Sequence, residues 1–445
     1  MKNSLRSWER VSLSDFLRSA VEKEKSAMHE EREGLLSPYR VLDLTDEKGL
    51  LCAKVLADLG ADVIRVEPPG GSLARTIGPF YNDIPHPEKS LFWFAYNANK
   101  RGITLNIACE DGREILKKLV ATADIVVESF SPGYMKGLGL GYDDLCGIKS
   151  DIILTSITPF GQDGPYRDFQ ASDLVCWSMG GFAYLTGDAD RPPVQVSLPQ
   201  AYLTGANEAS VATMVALYYR EISGEGQHVD VSIQASIAKN MMNAPLFWEA
   251  AGVNLGRAGP FRIGLSLATG QRVIWKCKDG EVSFFFWGGK AGAHINRSLV
   301  EYMDEDGMAP EFMKEMDWET FDMATATEEL FNEFSRHVGS FFLKHTKKEL
   351  FQKALRKKMT LYPVQNAADI AGDPHLKERG FWEGLEHPEL ERQVLYPDLP
   401  FILSEELGKG KRRAPLIGEH NEEIYRGELG ISSEELAILK ELGAL

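Results

Sequence analysis

The chain has 445 residues, of which 44% are apolar, 26% charged and 10% aromatic, the balance of a two-domain globular protein, which excludes a small binding module or a disordered chain. Lysine and arginine number 49 against 65 aspartates and glutamates, a formal charge of −16 that argues against a nucleic-acid partner but leaves room for an anionic small molecule in a locally basic pocket. The five cysteines, Cys52, Cys109, Cys146, Cys176 and Cys277, form no CxxC pair and the nine histidines no HExxH, so neither a disulfide framework nor a metal site is expected.

Residues 1–37 read as a charged helical extension whose Phe16, Leu17 and Val21 give a thin apolar stripe. They lack the apolar run of a signal peptide, and the apolar stretch from Ala209 to Tyr219 is too short to span a bilayer. A cytoplasmic protein with no membrane partner is therefore expected. From Tyr39 a strand (YRVLDLT), a helix with Leu51, Val55, Leu56 and Leu59 on one face, a stop at Gly60 and a strand (ADVIRVE) form a β-α-β unit. The strand GITLNI, a helix from Gly112 to Thr122, the strand ADIVVESF, a helical turn after Pro132 and the strand DIILTSIT continue the alternation. A long helix from Tyr202 to Glu221 then leads to the strand HVDVSI. Such interleaving predicts an α/β fold with a parallel sheet covered on both faces. The style changes after residue 248: glycines are frequent near 250–270, a hairpin turns at Asp279-Gly280, and helices fill Phe331 to Lys357. Past Pro363 comes a Pro-rich, charged run, and ISSEELAILKELG closes the chain as a helix capped by Ser432 or Ser433.

Several motifs invite a chemical reading, each with a plainer one beside it. GLGLG at Gly137 to Gly141 has half the spacing of a dinucleotide fingerprint, but it follows a helical turn and is not expected to open a helix, so a helix stop is the better reading. The loop Thr45 to Gly49 sits where a parallel sheet collects ligands, although Asp46 and Glu47 suit a helix start equally well. Lys100 and Arg101, preceded by Asn97 and Asn99, would make a phosphate clamp or a solvated basic turn. Asp173, before a mostly apolar run, is a nucleophile candidate or an N-cap, and GGKAGA from Gly288 is a mobile loop or a turn.

Taken in order, VLDLT, GLLCAKVLADLGADVIRVEPPGG, NANKRGITLNI, ADIVVESFSPG, GLGLGYDDL, GPY, SGEGQHVDVS, DPHLKERGF and APLIGEHNEEI resemble the class III CoA-transferase family, which includes formyl-CoA and carnitine CoA-transferases. The similarity runs from about residue 38 to the C-terminus, and the opening segment is most similar to the branch acting on (R)-benzylsuccinate in anaerobic toluene degradation, whose enzymes are heteromeric. The resemblance implies a Rossmann-like large domain from residues 38–248 and 363–445, a small domain at 249–362, and two chains interlocked like links. It also implies coenzyme A or an acyl-CoA as substrate, with no permanently bound cofactor. The CoA contacts would be Lys48 and Gly49, then Leu105, Asn106, Ile107 and Ala108 beyond the basic cluster with Arg101, then Ser129, Phe130 and Ser131, with Lys136 as phosphate partner.

The family's chemistry uses an aspartate that attacks the donor thioester to form a mixed anhydride, after which CoA thiolate returns to give an enzyme thioester that the acceptor acid resolves. That aspartate stands in a pattern like GDxxxG, and the corresponding stretch here is Leu198-Pro199-Gln200-Ala201-Tyr202-Leu203-Thr204-Gly205, with no acid at Ala201 or Tyr202. The multi-glycine loop is absent before Arg272, and Asp173 matches a second, supporting acidic position. Ser172 replaces the histidine of the family's racemase branch, which disfavours racemisation. The reading is a transferase subunit without the nucleophile, paired with a homologous catalytic subunit. A homodimer using Asp173 and a CoA-binding scaffold are the alternatives.

Overall fold

The computed structural model describes residues 34–37, 39–263, 270–404 and 411–445, and the helical extension expected at the N-terminus lies outside them apart from a turn at 34–37. The chain divides into two compact units. One comprises the residues up to Cys176, Leu198–Lys239 and Gly380–Leu445; the other comprises Trp177–Ser197 and Asn240–Arg379. The sequence-based division at 249 and 363 gave residues 177–197, 240–248 and 363–379 to the large domain, whereas by compactness they group with the second unit.

In the first unit the chain runs β1 (Arg40–Leu44), α1 (Leu50–Asp58), β2 (Asp62–Glu67), α2 (Leu91–Asn97), β3 (Arg101–Thr104), α3 (Glu110–Val120) and β4 (Ile125–Glu128). It continues through α4 (Tyr134–Gly137), α5 (Tyr142–Ile148), β5 (Ile153–Thr158), α6 (Asp173–Met179, whose last three residues belong to the second unit), α7 (Gln200–Ser223) and β6 (His228–Ser232). The six strands pair in the order β3-β2-β1-β4-β5-β6, all parallel, with Leu44 opposite Glu128 and Thr158 opposite Ser232. Strands buried on both faces must be apolar almost throughout, which is why RVLDL, DVIRVE and ILTSIT have the composition they do. The order reverses between β1 and β4, and the carboxyl ends of strands at such a reversal are where open parallel sheets collect ligands.

Local signals set the flanking helices. Cys109 caps α3, Glu110 and Asp111 occupy its first turn and Lys117 and Lys118 its last, matching the helix dipole. Its Ile115, Leu116 and Leu119 pack in one core with Leu42, Val126 and Leu154. The 24-residue α7 faces the sheet with small residues, Ala201, Gly205, Ala206, Ala209 and Ala216 among them. A Cβ on Gly205 would lie 2.7 Å from Ile233 Cγ1, so the glycine lets the helix approach closely.

The second unit has the expected hairpin, Ile274–Cys277 with Gly280–Ser283, extended by Tyr362–Pro363. Its core is aromatic: Trp275, Phe284, Phe286, Trp318, Phe334 and Phe342 are buried together, with Phe286 and Phe334 ring centroids 4.3 Å apart. GGKAGA opens the helix Gly289–Glu305, so that motif is a helix start. At the chain's end, Ser432 and Glu435 form a capping box on the helix Ser433–Glu441. Among the described residues no helix is long and apolar enough to cross a membrane.

Candidate functional site

The loops after β1 and β4 are stitched together by reciprocal hydrogen bonds. The Asp46 amide donates to Ser129 Oγ at 2.8 Å, and Ser129 Oγ donates to Asp46 Oδ1 at 2.7 Å. The Lys48 amide donates to Asp46 Oδ1 at 3.1 Å and its ammonium pairs with the same carboxylate, which neutralises the cation locally. Thr45 donates to the buried Asp43 Oδ1 through both its amide and its hydroxyl. Gly49 is required by packing: a Cβ would stand 2.5 Å from Thr45 Cγ2 and 3.2 Å from Ile157 Cδ1. Phe130 is half-buried with its ring 4.8 Å from that of Tyr134, while Ser131 and, on α4, Lys136 are exposed. Lys48, Gly49, Ser129, Phe130, Ser131 and Lys136 thus all lie on the two loops, or the helices they lead into, at the reversal of strand order.

Sequence reading missed Glu128, the last residue of β4. It is 4% exposed, and its Oε2 accepts the Phe130 amide at 2.7 Å. Burial, then Ser156, the Phe130 amide and the neighbouring Asp46 and Lys48, leave its carboxyl raised to about 7. An acid that ends an apolar strand gives no sign in sequence of how deeply it is covered.

The basic cluster goes elsewhere. Lys100 is fully buried and its ammonium donates to Asp43 Oδ2 (2.9 Å), Leu50 O (3.0 Å) and Asn97 Oδ1 (3.1 Å), which uses all three protons. Burial would raise Asp43, but Lys100 and Arg65 hold its carboxyl below the ordinary value. Arg101 heads β3 at the amino edge of the sheet, bonded to Asp62 (2.6 and 2.9 Å) and Glu423 (2.7 Å) and paired with Glu428. The phosphate clamp expected of Lys100 and Arg101 is corrected accordingly: both cations are held by carboxylates, and Arg101 lies at the end of the sheet opposite the crevice. Leu105 is buried with its amide on Glu67 O at 2.6 Å, and Asn106 bonds the chain's end through Ala444 O (2.8 Å) and Gly443 O (3.2 Å). Ile107 is half-buried and Ala108 exposed, beyond the edge strand β3. Phe92, Trp93 and Phe94 are core residues.

At the start of α7, Ala201 is wholly buried and Tyr202 nearly so. Asp173 Oδ1 accepts the Tyr202 amide at 2.9 Å, so this acid, the first residue of α6, caps a different helix from its own. A carboxylate is favoured there by the helix dipole. The Tyr202 hydroxyl donates to Ala171 O at 3.3 Å. Burial, and then the charge of Asp173, push the Cys176 thiol up to about 12, which removes it as a nucleophile at neutral pH. Between β5 and Asp173, Phe160, Tyr166 and Phe169 form a ring cluster with centroids 5.2 to 6.4 Å apart, and Tyr166 and Phe169 are exposed. The amides of Gly161 and Gln162 anchor this loop on Thr158 Oγ1 (3.0 Å) and Asp230 Oδ2 (2.9 Å). GLGLG separates α4 from α5; Gly141 does open a helix, contrary to expectation, but a helix and not a strand precedes it. Among the described residues no group of histidine, cysteine, aspartate and glutamate is placed to hold a metal ion.

Comparison with known proteins places these residues in context. A family model described as CoA-transferase family III matches residues 36–421. The chain is 33% identical to subunit BbsE of succinyl-CoA:(R)-benzylsuccinate CoA-transferase from Thauera aromatica, over 92% of this chain and 98% of that protein. It is 31% identical to formyl-CoA:oxalate CoA-transferase from Streptomyces avermitilis, over 92% of this chain and 99% of that protein. A crystal structure of a CAIB/BAIF family protein from Brucella suis superposes with a TM-score of 0.77 at 26% identity, covering 89% of this chain and all of that one.

Proposed function

We propose, from the premise that the chain belongs to CoA-transferase family III, that it is a transferase subunit without the nucleophilic aspartate. A homologous, aspartate-bearing chain would complete the enzyme, and the pair would exchange CoA between succinyl-CoA and an aromatic dicarboxylic acid such as (R)-benzylsuccinate. The observation that carries this reading is Ala201: a buried methyl group stands at the start of α7, where the family pattern calls for an acid. The full reaction needs a carboxylate oxygen to attack the thioester carbonyl, expel CoA thiolate and form an anhydride; the thiolate then attacks the enzyme's acyl carbon and releases succinate, and the acceptor carboxylate repeats the cycle in reverse. A methyl group performs none of these steps.

CoA would lie along the crevice at the reversal of strand order, against Lys48, Ser129, Phe130, Ser131 and Lys136, with Ile107 and Ala108 toward its far end. The exposed rings of Tyr166 and Phe169, on a loop held by Thr158 and Asp230, support an apolar, aromatic acceptor. A partner chain is supported by α7, whose Val211, Val215, Tyr218 and Ile222 recur at helical spacing and are all exposed, and by the word "subunit" in the name of the Thauera relative. Free thiols at all five cysteines suit a reducing, cytoplasmic setting.

A second reading keeps the chain self-sufficient, with Asp173 as nucleophile in a homodimer; its favourable sign is the placement of that carboxylate on an α7 amide. Transfer assays separate the two. The chain purified alone should not convert succinyl-CoA and (R)-benzylsuccinate to succinate and benzylsuccinyl-CoA, and the co-purified pair should. Turnover by this chain alone would overturn the proposal.

A further inference from the structure

Glu128 is a buried carboxyl that the transfer chemistry leaves unused, and it is connected to the surface. On β5, Ser156 stands opposite it in register, and its hydroxyl favours the ionised carboxylate. Ser156 Oγ lies 2.9 Å from His228 Nε2 on β6, and the exposed His228 ring stacks on Tyr142 with centroids 5.6 Å apart. Glu128, Ser156 and His228 therefore stand side by side across three strands, from a buried carboxyl to a solvent-exposed ring, with the Ser156–His228 hydrogen bond already formed. A serine hydroxyl both donates and accepts, so the line carries either polarity: carboxylate accepting from Ser156 with Ser156 accepting from the imidazole N–H, or carboxyl O–H donating to Ser156 with Ser156 donating to Nε2.

The charged groups around this line come from each neighbouring element. Asp46 and Lys48 face Glu128 from the first loop and are paired with each other. Asp230 stands opposite Ser156 on β6, and Asp143 on α5 acts on His228. Lys48 is thus already matched, and Lys136, exposed on α4, is not among the charges that act most on Glu128, so a further anion beside Ser129–Ser131 would repel an ionised Glu128.

We propose that Glu128 is the proton-binding residue of the ligand crevice: when CoA settles against Ser129, Phe130 and Ser131, Glu128 takes up one proton, delivered from solvent through His228 and Ser156. The inference rests on the reading of the crevice as a CoA site. The balance is one proton from solvent onto His228 Nδ1, one from Nε2 to Ser156 Oγ and one from Ser156 to the Glu128 carboxylate; the relay keeps its charge, and His228 passes from its Nε2–H to its Nδ1–H tautomer, which returns by exchange with solvent. Burial, partly offset by Ser156, leaves the carboxyl at about 7, so the empty crevice is poised to respond near neutral pH. Partial burial against the sheet also holds His228 below its ordinary value, against the opposing pull of Asp230 and Asp143, which favours a neutral imidazole between transfers.

The test is calorimetric titration of CoA into the co-purified complex at pH 7 in phosphate and in Tris, whose different ionisation enthalpies report protons exchanged. Uptake should be on the order of half a proton per site and should vanish at pH 5, where the carboxyl is already protonated. Glu128→Gln in this chain should bind CoA and lose that uptake, which separates it from titration of the ligand's own phosphate. Ser156→Ala is the second variant: without the hydroxyl that favours ionisation, the maximum of uptake should move to higher pH. In stopped flow with a pH indicator, His228→Phe should take up the same proton more slowly. Binding with unchanged uptake in Glu128→Gln would overturn the proposal while leaving the CoA site intact; no CoA bound at this chain's crevice would overturn the underlying reading and this proposal with it.

Discussion

Two charged regions of one sheet use similar residues to opposite ends. In and below β1 to β3, Asp43 is matched by Lys100 and Arg65, Glu67 by Arg75, and Asp62 by Arg101, with most of these side chains almost fully covered. At the carboxyl ends of β1 and β4, Asp46, Lys48 and Ser129 bind loop to loop while Ser131 and Lys136 remain open to solvent. A cation removed from water must find carboxylates or lose its charge, so the buried set is committed to the fold. Polar groups left accessible where the strand order reverses, not density of charge, are what support the proposed CoA crevice. The basic cluster NANKR, so suggestive in sequence, belongs to the first kind.

The contrast can be broken at its buried end. Asp43→Ala leaves Lys100 and Arg65 without their carboxylate and should cost about 3 to 5 kcal/mol of stability in denaturant unfolding. A loss below about 1 kcal/mol would mean that the network is not what holds β1 to β3 together. Glu128→Gln should act in the other direction, and only at higher pH. The folded carboxyl at about 7, against 4.5 for the ordinary group, keeps a proton that the unfolded chain releases, so wild-type stability falls as pH rises through that window. The amide should therefore gain stability relative to wild type between pH 4 and pH 8, by at most about 3 kcal/mol, in paired pH-dependent melts. An unchanged difference across that range would contradict the burial of Glu128.

Arg101→Ala sharpens the comparison, because it should lower stability by about 1.5 to 3 kcal/mol yet leave CoA affinity as it was. Lys136→Ala, at an exposed position beside the crevice, should do the reverse: unchanged melting and about tenfold weaker CoA binding by calorimetry. The same outcome for both variants would erase the distinction between the two regions.

What could be read from sequence followed from periodicity. Apolar runs such as RVLDL and ILTSIT are strands because a doubly covered parallel sheet admits little else, and alternation with helices implied the parallel order. The position of the loop Thr45 to Gly49 at the carboxyl end of β1 was legible for the same reason. The fate of single charged residues was not. Arg101 is bound by acids 39, 322 and 327 positions away, and Asp173 by an amide 29 positions on, separations over which no local pattern operates. The domain division by sequence follows contiguous segments, whereas by compactness residues 177–197 group with chain that lies well beyond them.

The account turns on the buried methyl group of Ala201, and the measurement that reaches it most directly is intact-mass spectrometry of the co-purified complex after incubation with succinyl-CoA. A covalent CoA thioester, released by hydroxylamine, should appear on the partner chain and never on this one. A CoA adduct on this chain that disappears in Asp173→Asn would contradict the account and make Asp173 the nucleophile.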